Sequence, residues 1–346
     1  MSKMRSASNN SKNGKTKKII LIILAVLLAI CILGVGTFFV LNKIGKKKLV
    51  STGKDIKTPA IAENIDDGLV VEYNGKTYKY NKDNISLLFM GIDKDNLSKD
   101  AVNGKNGQAD SIFVTCLNTK TGVIKIIPIN REAMVDVNVY TTGGEFAETK
   151  NQQLCCAYAY GSTAEEGCEN MLRSVKRLLY GVDVNAYAAM DLTGIEKLTN
   201  ATGGVTLNSI ETVGSFKEGQ SVQLKGKKAV EYVRARGQDV DGSYRRLQRQ
   251  KQFLTAFISD TGNKVLSNFT KLTTYYNAVN PYLNSNLSLS EITYIATSYL
   301  TANMGNNIEY VNLEGTRQLG EKYVEFIPDE TSLYEAVLSA FYIVEE

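Results

Sequence analysis

The sequence predicts an α/β protein in which a sheet is sandwiched by helices, tethered by an N-terminal transmembrane helix. Three observations predict it. Apolar, β-branched runs of strand length lie at 85–90, 111–117 and 123–129. From residue 171 onward, apolar residues at helical spacing alternate with further strand-like runs, the pattern of helices layered on a sheet. And the 23 residues 19–41 (IILIILAVLLAICILGVGTFFVL) carry no charge.

As a helix that last run is about 34 Å long, enough for a bilayer core of about 30 Å. It has no small-residue exit of the kind a cleaved signal peptide shows. Six Lys or Arg precede it on a short tail (1–18) and four follow, so the tail is expected in the cytoplasm and the rest of the chain outside the cell. Residues 42–68 are largely polar and unpatterned and read as a stalk, which leaves 69–346 as the extracytoplasmic domain.

Charge follows the same division. Residues 1–48 hold ten of the 40 Lys and Arg and no Asp or Glu, so the remainder has 30 basic against 36 acidic side chains, a net of −6. The folded part is therefore mildly acidic, and nucleic acid is not expected as a partner. The chain contains no histidine, which excludes a Ser-His-Asp triad, a His-Glu-x-x-His zinc site and a histidine base. Acid–base work falls to carboxylates, lysine or tyrosine.

Within the domain, Val70–Tyr80 alternates about Asn74-Gly75, a hairpin signal. Ile85–Met90 is nearly continuous in apolar residues, as in a strand buried on both faces. A long polar loop, 93–110, leads to the strands 111–117 and 123–129, joined by a turn at 118–122. Met171, Leu172, Val175, Leu178 and Leu179 mark an amphipathic helix ending near Gly181. Further on, 185–191 reads as a strand, 193–200 as a helix and 203–207 as a turn into a strand. Residues 226–233 and 241–259 read as helices, 288–303 as a helix, 308–313 as a strand, and a last helix starts at Thr331. Cys155 or Cys156 bridged to Cys168 would suit an oxidising exterior, and the spacing equally allows buried free thiols.

The arginines are the chemically informative residues. Arg234 and Arg236 share a face if the chain leaves its helix extended there. Arg246, Arg249 and Gln250 fall at i, i+3 and i+4 on one side of the next helix, beside the stripe Leu247, Leu254, Phe257 and Ile258. Converging guanidinia suit a pyrophosphate. Asp93 and Asp110 lie at strand ends, and Arg131-Glu132 follow the strand 123–129. Two aspartates able to share a magnesium ion opposite several arginines would make a phosphoryl-transfer site.

In order and spacing, LLFMGIDKD, ADSIFVTCLNTKTGVIKIIPINREAMVDV, CAYAYG and LKGKKAVEYVRARGQDVDGSYRRLQRQKQFL resemble the LytR-CpsA-Psr family of bacterial cell-envelope enzymes over most of 70–340. The resemblance implies a central mixed sheet sandwiched by helices, with a polyprenyl chain in an apolar tunnel and its pyrophosphate clamped at the mouth. It implies transfer of a glycopolymer (wall teichoic acid, capsule or another secondary polymer) from a polyprenyl-pyrophosphate carrier to peptidoglycan. By motif, Asp93 and Asp110 would hold Mg2+ or Mn2+. Arg131, Arg234, Arg236, Arg246 and Gln250 would hold the pyrophosphate, and Asp93, Asp110 and Arg131 would be catalytic. The alternative is a non-catalytic polyprenyl-pyrophosphate-binding envelope regulator. The sequence departs from the family pattern where Arg-Ser-Asp-Thr reads Gln108-Ala109-Asp110-Ser111, where Pro-Arg-Asp reads Asn130-Arg131-Glu132, and where a common lysine is Gln153.

Overall fold

The computed structural model describes residues 43–47, 49–97, 102–237, 239, 241–268, 270–302 and 308–345. The expected tail (1–18) and membrane span (19–41) lie outside the described residues. Among the described residues, no helix is long and apolar enough to cross a membrane.

The domain begins with β1 (Glu63–Asp66), β2 (Val70–Tyr73) and β3 (Lys76–Tyr80). Tyr73 pairs with Lys76 across the expected two-residue turn, where Asn74 and Gly75 both take positive φ (50° and 69°), as a tight hairpin requires. Three long strands follow, β4 (Asn84–Ile92), β5 (Ala109–Asn118) and β6 (Ile124–Ile129). A second hairpin, β7 (Met134–Tyr140) and β8 (Phe146–Gln153), leads through a 3-10 turn at Leu154–Tyr160 into helix α1 (Ala164–Leu178). Then come β9 (Ala186–Met190), α2 (Leu192–Thr202), β10 (Val205–Asn208), β11 (Ser221–Leu224), α3 (Lys227–Arg234), α4 (Gly242–Ser267) and α5 (Thr270–Val279). The chain continues with β12 (Leu283–Ser285), α6 (Leu289–Ala302), β13 (Ile308–Tyr310), β14 (Gly315–Leu319), β15 (Val324–Pro328), α7 (Glu330–Phe341) and β16 (Tyr342–Val344).

The central sheet has the order β12-β9-β4-β5-β6-β13. It is mixed: β4–β5 and β5–β6 are antiparallel, whereas β4–β9 and β6–β13 are parallel. This order brings the carboxyl ends of β4 and β6 and the amino end of β5 to one edge, where Gly91 pairs with Ser111 and Ile112 with Ile129.

One face of the sheet is sealed. Leu88, Met90, Ile112, Val114, Ile127 and Ile129 pack in one buried cluster with Met171 and Val175 of α1 and Tyr334, Val337 and Phe341 of α7. Leu88 is 0 % exposed, so Leu88→Ala is expected to cost about 2–5 kcal/mol through lost burial and a residual cavity. Urea melts of the two proteins check this, and an unchanged midpoint would contradict it.

The opposite face is less tightly covered. Leu87 and Phe89, on a central strand, are only half-buried, and so is every residue of α4 from 251 to 260. A cavity of about 480 Å³ lies along α4, lined by Gln252, Thr255, Ala256, Ser259 and Ile308. Leu247, Leu254, Phe257 and Ile258 remain half-buried, and the rings of Phe253 and Phe257 stack at 5.9 Å.

Differences from the sequence reading fall where tertiary contacts decide. The helix expected over 241–259 runs on to Ser267, and the strand expected over 308–313 stops at Tyr310, where β6 ends its pairing. β7–β8 and β14–β15 were not expected. The residues of β8 are nearly all exposed (FAETKNQQ), so no apolar alternation announces them.

Candidate active site

Asp93 lies just beyond β4, Asp110 near the start of β5 and Arg131 just beyond β6, so the sheet edge alone gathers these three. The Arg131 Nη1 forms an ion pair with Asp110 Oδ1 at 2.9 Å, and Arg246 Nη1 of α4 donates to Asp110 Oδ2 at 2.8 Å. Both oxygens of Asp110 are thus held by arginine. Arg234, at the end of α3, reaches Asp93 Oδ1 at 2.8 Å through Nη2. Among the described residues Arg236 has no ion-pair partner and is exposed beside this group. Gln250 is buried, and its Nε2 donates to the Val233 carbonyl at 3.0 Å, fixing α4 against the end of α3.

Asp93, Asp110, Arg234, Arg246 and Gln250 line one narrow recess with Ile92, Leu192 and Ile195, with about 20 Å³ of room, close to a single water. Arg246 Nη2 and Arg131 Nε are buried donors, and Gln250 Oε1 a buried acceptor, each without a hydrogen-bond partner among the described residues. Buried polar atoms are rarely left so, and two orphan guanidinium donors suit an oxyanion. Burial, together with the like charges of Arg131 and Arg236, lowers the Arg246 pKa, although Asp110 opposes this. Burial also works against the charge of Arg131, but the Cys155 sulfur and Asp110 outweigh it and raise its pKa. On its other side Arg234 walls a wider cleft of about 610 Å³, lined by Asp95, Thr193, Glu196, Lys227 and Glu231.

The donor set suits a hard divalent cation. Two carboxylates and the unpartnered Gln250 oxygen share the recess, and magnesium is commonly held by one or two carboxylates plus substrate phosphates. No group of three or more His, Cys, Asp or Glu forms a metal site among the described residues.

Arg249, singled out by spacing, and Gln153, a departure from the family pattern, do something else. Arg249 sits on the expected helix but points into the fold, where it is 0 % exposed. It binds Glu211 Oε1 (2.5 Å), the Tyr232 carbonyl (2.6 Å) and the Ala235 carbonyl. It therefore holds the segment that carries Arg234 and Arg236. Gln153 donates to the Val324 carbonyl at 2.6 Å and so ties β8 to β15, while Lys150 is exposed on β8.

Two further residues help to build the site. Glu132 is buried and accepts from Ser243 Oγ at 2.8 Å, fastening the first turn of α4 to the end of β6 and so aiming Arg246. Asp191 caps α2 by accepting from the Gly194 N–H at 2.7 Å, and burial raises its pKa. Cys116, Cys155, Cys156 and Cys168 are free thiols, so neither bridge that the spacing allowed is formed. Cys155 instead accepts from Arg131 Nη2 at 3.0 Å, a contact that no spacing signal announced.

With this geometry in view, the LytR_cpsA_psr family model matches residues 42–338. A polyisoprenyl-teichoic acid–peptidoglycan teichoic acid transferase, TagU, of Enterococcus faecalis is 26% identical over 243 residues, 68% of this chain and 72% of its own. TagU of Bacillus subtilis, of the same description, is 24% identical over 326 residues, 92% of this chain and 94% of its own. The crystal structure of TagV from B. subtilis superposes with a TM-score of 0.59 at 24% identity, covering 75% of this chain and 96% of that one.

Proposed function

Since the chain belongs to the LytR-CpsA-Psr family, we propose that it is a membrane-anchored phosphotransferase that moves a glycopolymer from a polyprenyl-pyrophosphate carrier to peptidoglycan. The observation that carries the reading is the meeting of Arg131 and Arg246 over Asp110, each with a buried donor unspent. In this reading Arg131, Arg234, Arg236, Arg246 and Gln250 bind the pyrophosphate. The half-buried face along Leu87, Phe89 and α4 takes the polyprenyl chain, and the polar cleft beyond Arg234 has room for the first sugars. Residues 19–41 anchor the chain, 1–18 face the cytoplasm, and the folded domain, which takes in β1 as well as 69–346, acts outside the cell.

The acceptor hydroxyl oxygen attacks the phosphorus nearest the glycan. The bridging P–O bond breaks, and polyprenyl monophosphate leaves. Asp110 has both oxygens committed to arginine, whereas Asp93 Oδ2 takes no hydrogen bond among the described residues, so Asp93 Oδ2 receives the hydroxyl proton. The arginines meet the charge that develops on the transferring and leaving oxygens, the main requirement of phosphoryl transfer. Magnesium or manganese would supply further charge neutralisation there, and Asp93 and Asp110 would hold it in exchange for part of their arginine contacts.

The test uses the full chain purified in detergent. Solvent extraction and mass spectrometry are expected to find a polyprenyl phosphate or pyrophosphate, lost from the Arg234→Ala/Arg236→Ala variant. Added carrier-linked glycan, peptidoglycan and magnesium are expected to release polyprenyl monophosphate. Bound lipid without product would give the non-catalytic binder the lead, and no lipid under any condition would sink both.

A further inference from the structure

Beside the arginine clamp lies a pair of adjacent thiols that the transfer reaction does not use. Cys155 and Cys156 occupy the 3-10 turn at Leu154–Tyr160. Cys155 is 0 % exposed and locked to Arg131 twice: its N–H donates to the Arg131 carbonyl at 3.0 Å, and its sulfur accepts from Arg131 Nη2. Cys156 is only half-buried. Gln108 Nε2 lies 3.8 Å from its sulfur, while Gln108 Oε1 accepts from the same Arg131 Nη2. Cys156, Gln108 and Arg131 thus form one chain of contacts leading to Asp110.

We propose that Cys156 is a thiol-modification site at the mouth of this clamp, which exchanges with low-molecular-weight disulfides to form a mixed disulfide that displaces Gln108 and weakens anion binding at Arg131. The effect on binding rests on the clamp assigned above, whereas the modification itself does not.

The Cys156 thiolate attacks one sulfur of the disulfide. That S–S bond breaks, a Cys156–S–S–R bond forms, and the departing thiolate takes a proton from water. A thiol reductant reverses the exchange, and no other oxidant is needed.

Selectivity is built into the surroundings. The neighbouring Cys155 thiol first, then the Arg131 charge and the Gln108 amide, lower the pKa of the Cys156 thiol against the opposing effect of burial. Thiols with a pKa near the ambient pH are the best attackers. Cys155, whose thiol donates to Gln153 Oε1 at 3.8 Å, is held well above the usual range by its neighbour Cys156 and by burial. Desolvation likewise raises Cys116 and Cys168, which are buried in the sheet and in α1. A bond between Cys155 and Cys156 is disfavoured, because consecutive Cα atoms lie about 3.8 Å apart, closer than the roughly 4.4–6.8 Å that a disulfide normally spans. Closing it would break the turn that holds Arg131.

The test treats the full chain in detergent with 2-hydroxyethyl disulfide, a neutral probe, and maps non-reduced peptides by mass spectrometry. The adduct is expected on Cys156 ahead of Cys116, Cys155 and Cys168. Its rate should rise with pH as thiolate forms, reach half its maximum at a lower pH than the same reaction of free cysteine, and fall when inorganic pyrophosphate is present. Calorimetry should find pyrophosphate binding weakened at least about tenfold in the adduct, restored by dithiothreitol, and unaffected by the probe in Cys156→Ser. A Cys155–Cys156 bond, an adduct first at another of these cysteines, or none, would overturn the site. An adduct with undiminished pyrophosphate binding would overturn its effect. If reduced wild-type protein binds no pyrophosphate, the clamp reading fails, and the peptide map and pH profile still decide whether Cys156 is the modified residue.

Discussion

Arg246→Ala is expected to lower the rate of polyprenyl monophosphate release by about a thousandfold, close to 4 kcal/mol of transition-state stabilisation. The Arg246 side chain is 5% exposed, and water cannot stand in for it. It spends Nη1 on Asp110 and keeps Nη2 buried and unpartnered, so an arriving phosphate oxygen completes its hydrogen bonding. Asp110 keeps Arg131 in the variant, so the domain should fold. Single-turnover release of the monophosphate, alongside a melting curve, is the measurement. Undiminished release by a folded Arg246→Ala protein would remove Arg246 from the site.

Arg249→Leu should act on stability, at a cost of about 3–5 kcal/mol, the usual penalty for breaking a buried charge pair by removing one partner. For a domain of this size that is roughly a 6–20 °C fall in melting temperature. The guanidinium is enclosed by Glu211, the Tyr232 and Ala235 carbonyls and the face of the Tyr232 ring, 5.7 Å from its centre. Leucine fills part of the space but leaves two carbonyls without a donor, and leaves Glu211 only the partly exposed Arg245 at 3.3 Å. Because those carbonyls bracket Arg234, pyrophosphate affinity should fall with stability. Calorimetric melting and pyrophosphate titration check the two together, and a variant as stable as the wild type would show that Arg249 carries no such load.

The contrast between these two arginines shows what the sequence could reveal. β4, β5 and β6 were legible because strands buried in the middle of a sheet need continuous apolar runs, and these have them. The convergence of Asp93, Asp110 and Arg131 was legible too, since residues just past neighbouring strand ends share an edge. Helical spacing placed Arg246, Arg249 and Gln250 on one side of α4 but could not say which would meet Asp110 and which would meet backbone carbonyls. That depends on where α3 ends against α4, a contact between segments that no local pattern encodes. The polar, exposed β8 lacked any alternation to read. Cys155 and Cys156 were visible as a pair, yet their engagement with Arg131 needs the turn at 154–160 to fold back onto the end of β6.

The small outer sheet has a consequence for how the molecule is assembled. β16 pairs with β3, and the Tyr342 hydroxyl donates to the Gly68 carbonyl across 274 positions of sequence. The first hairpin of the domain therefore gains its neighbour only when residues 342–344 have been made, and closing so long a loop carries an entropic cost. Until then the edge of β3 stays open to foreign strands. Once closed, the pairing joins β3 to β16, so that a pull on the residues before β1 is shared with β16 instead of peeling the fold open from one end.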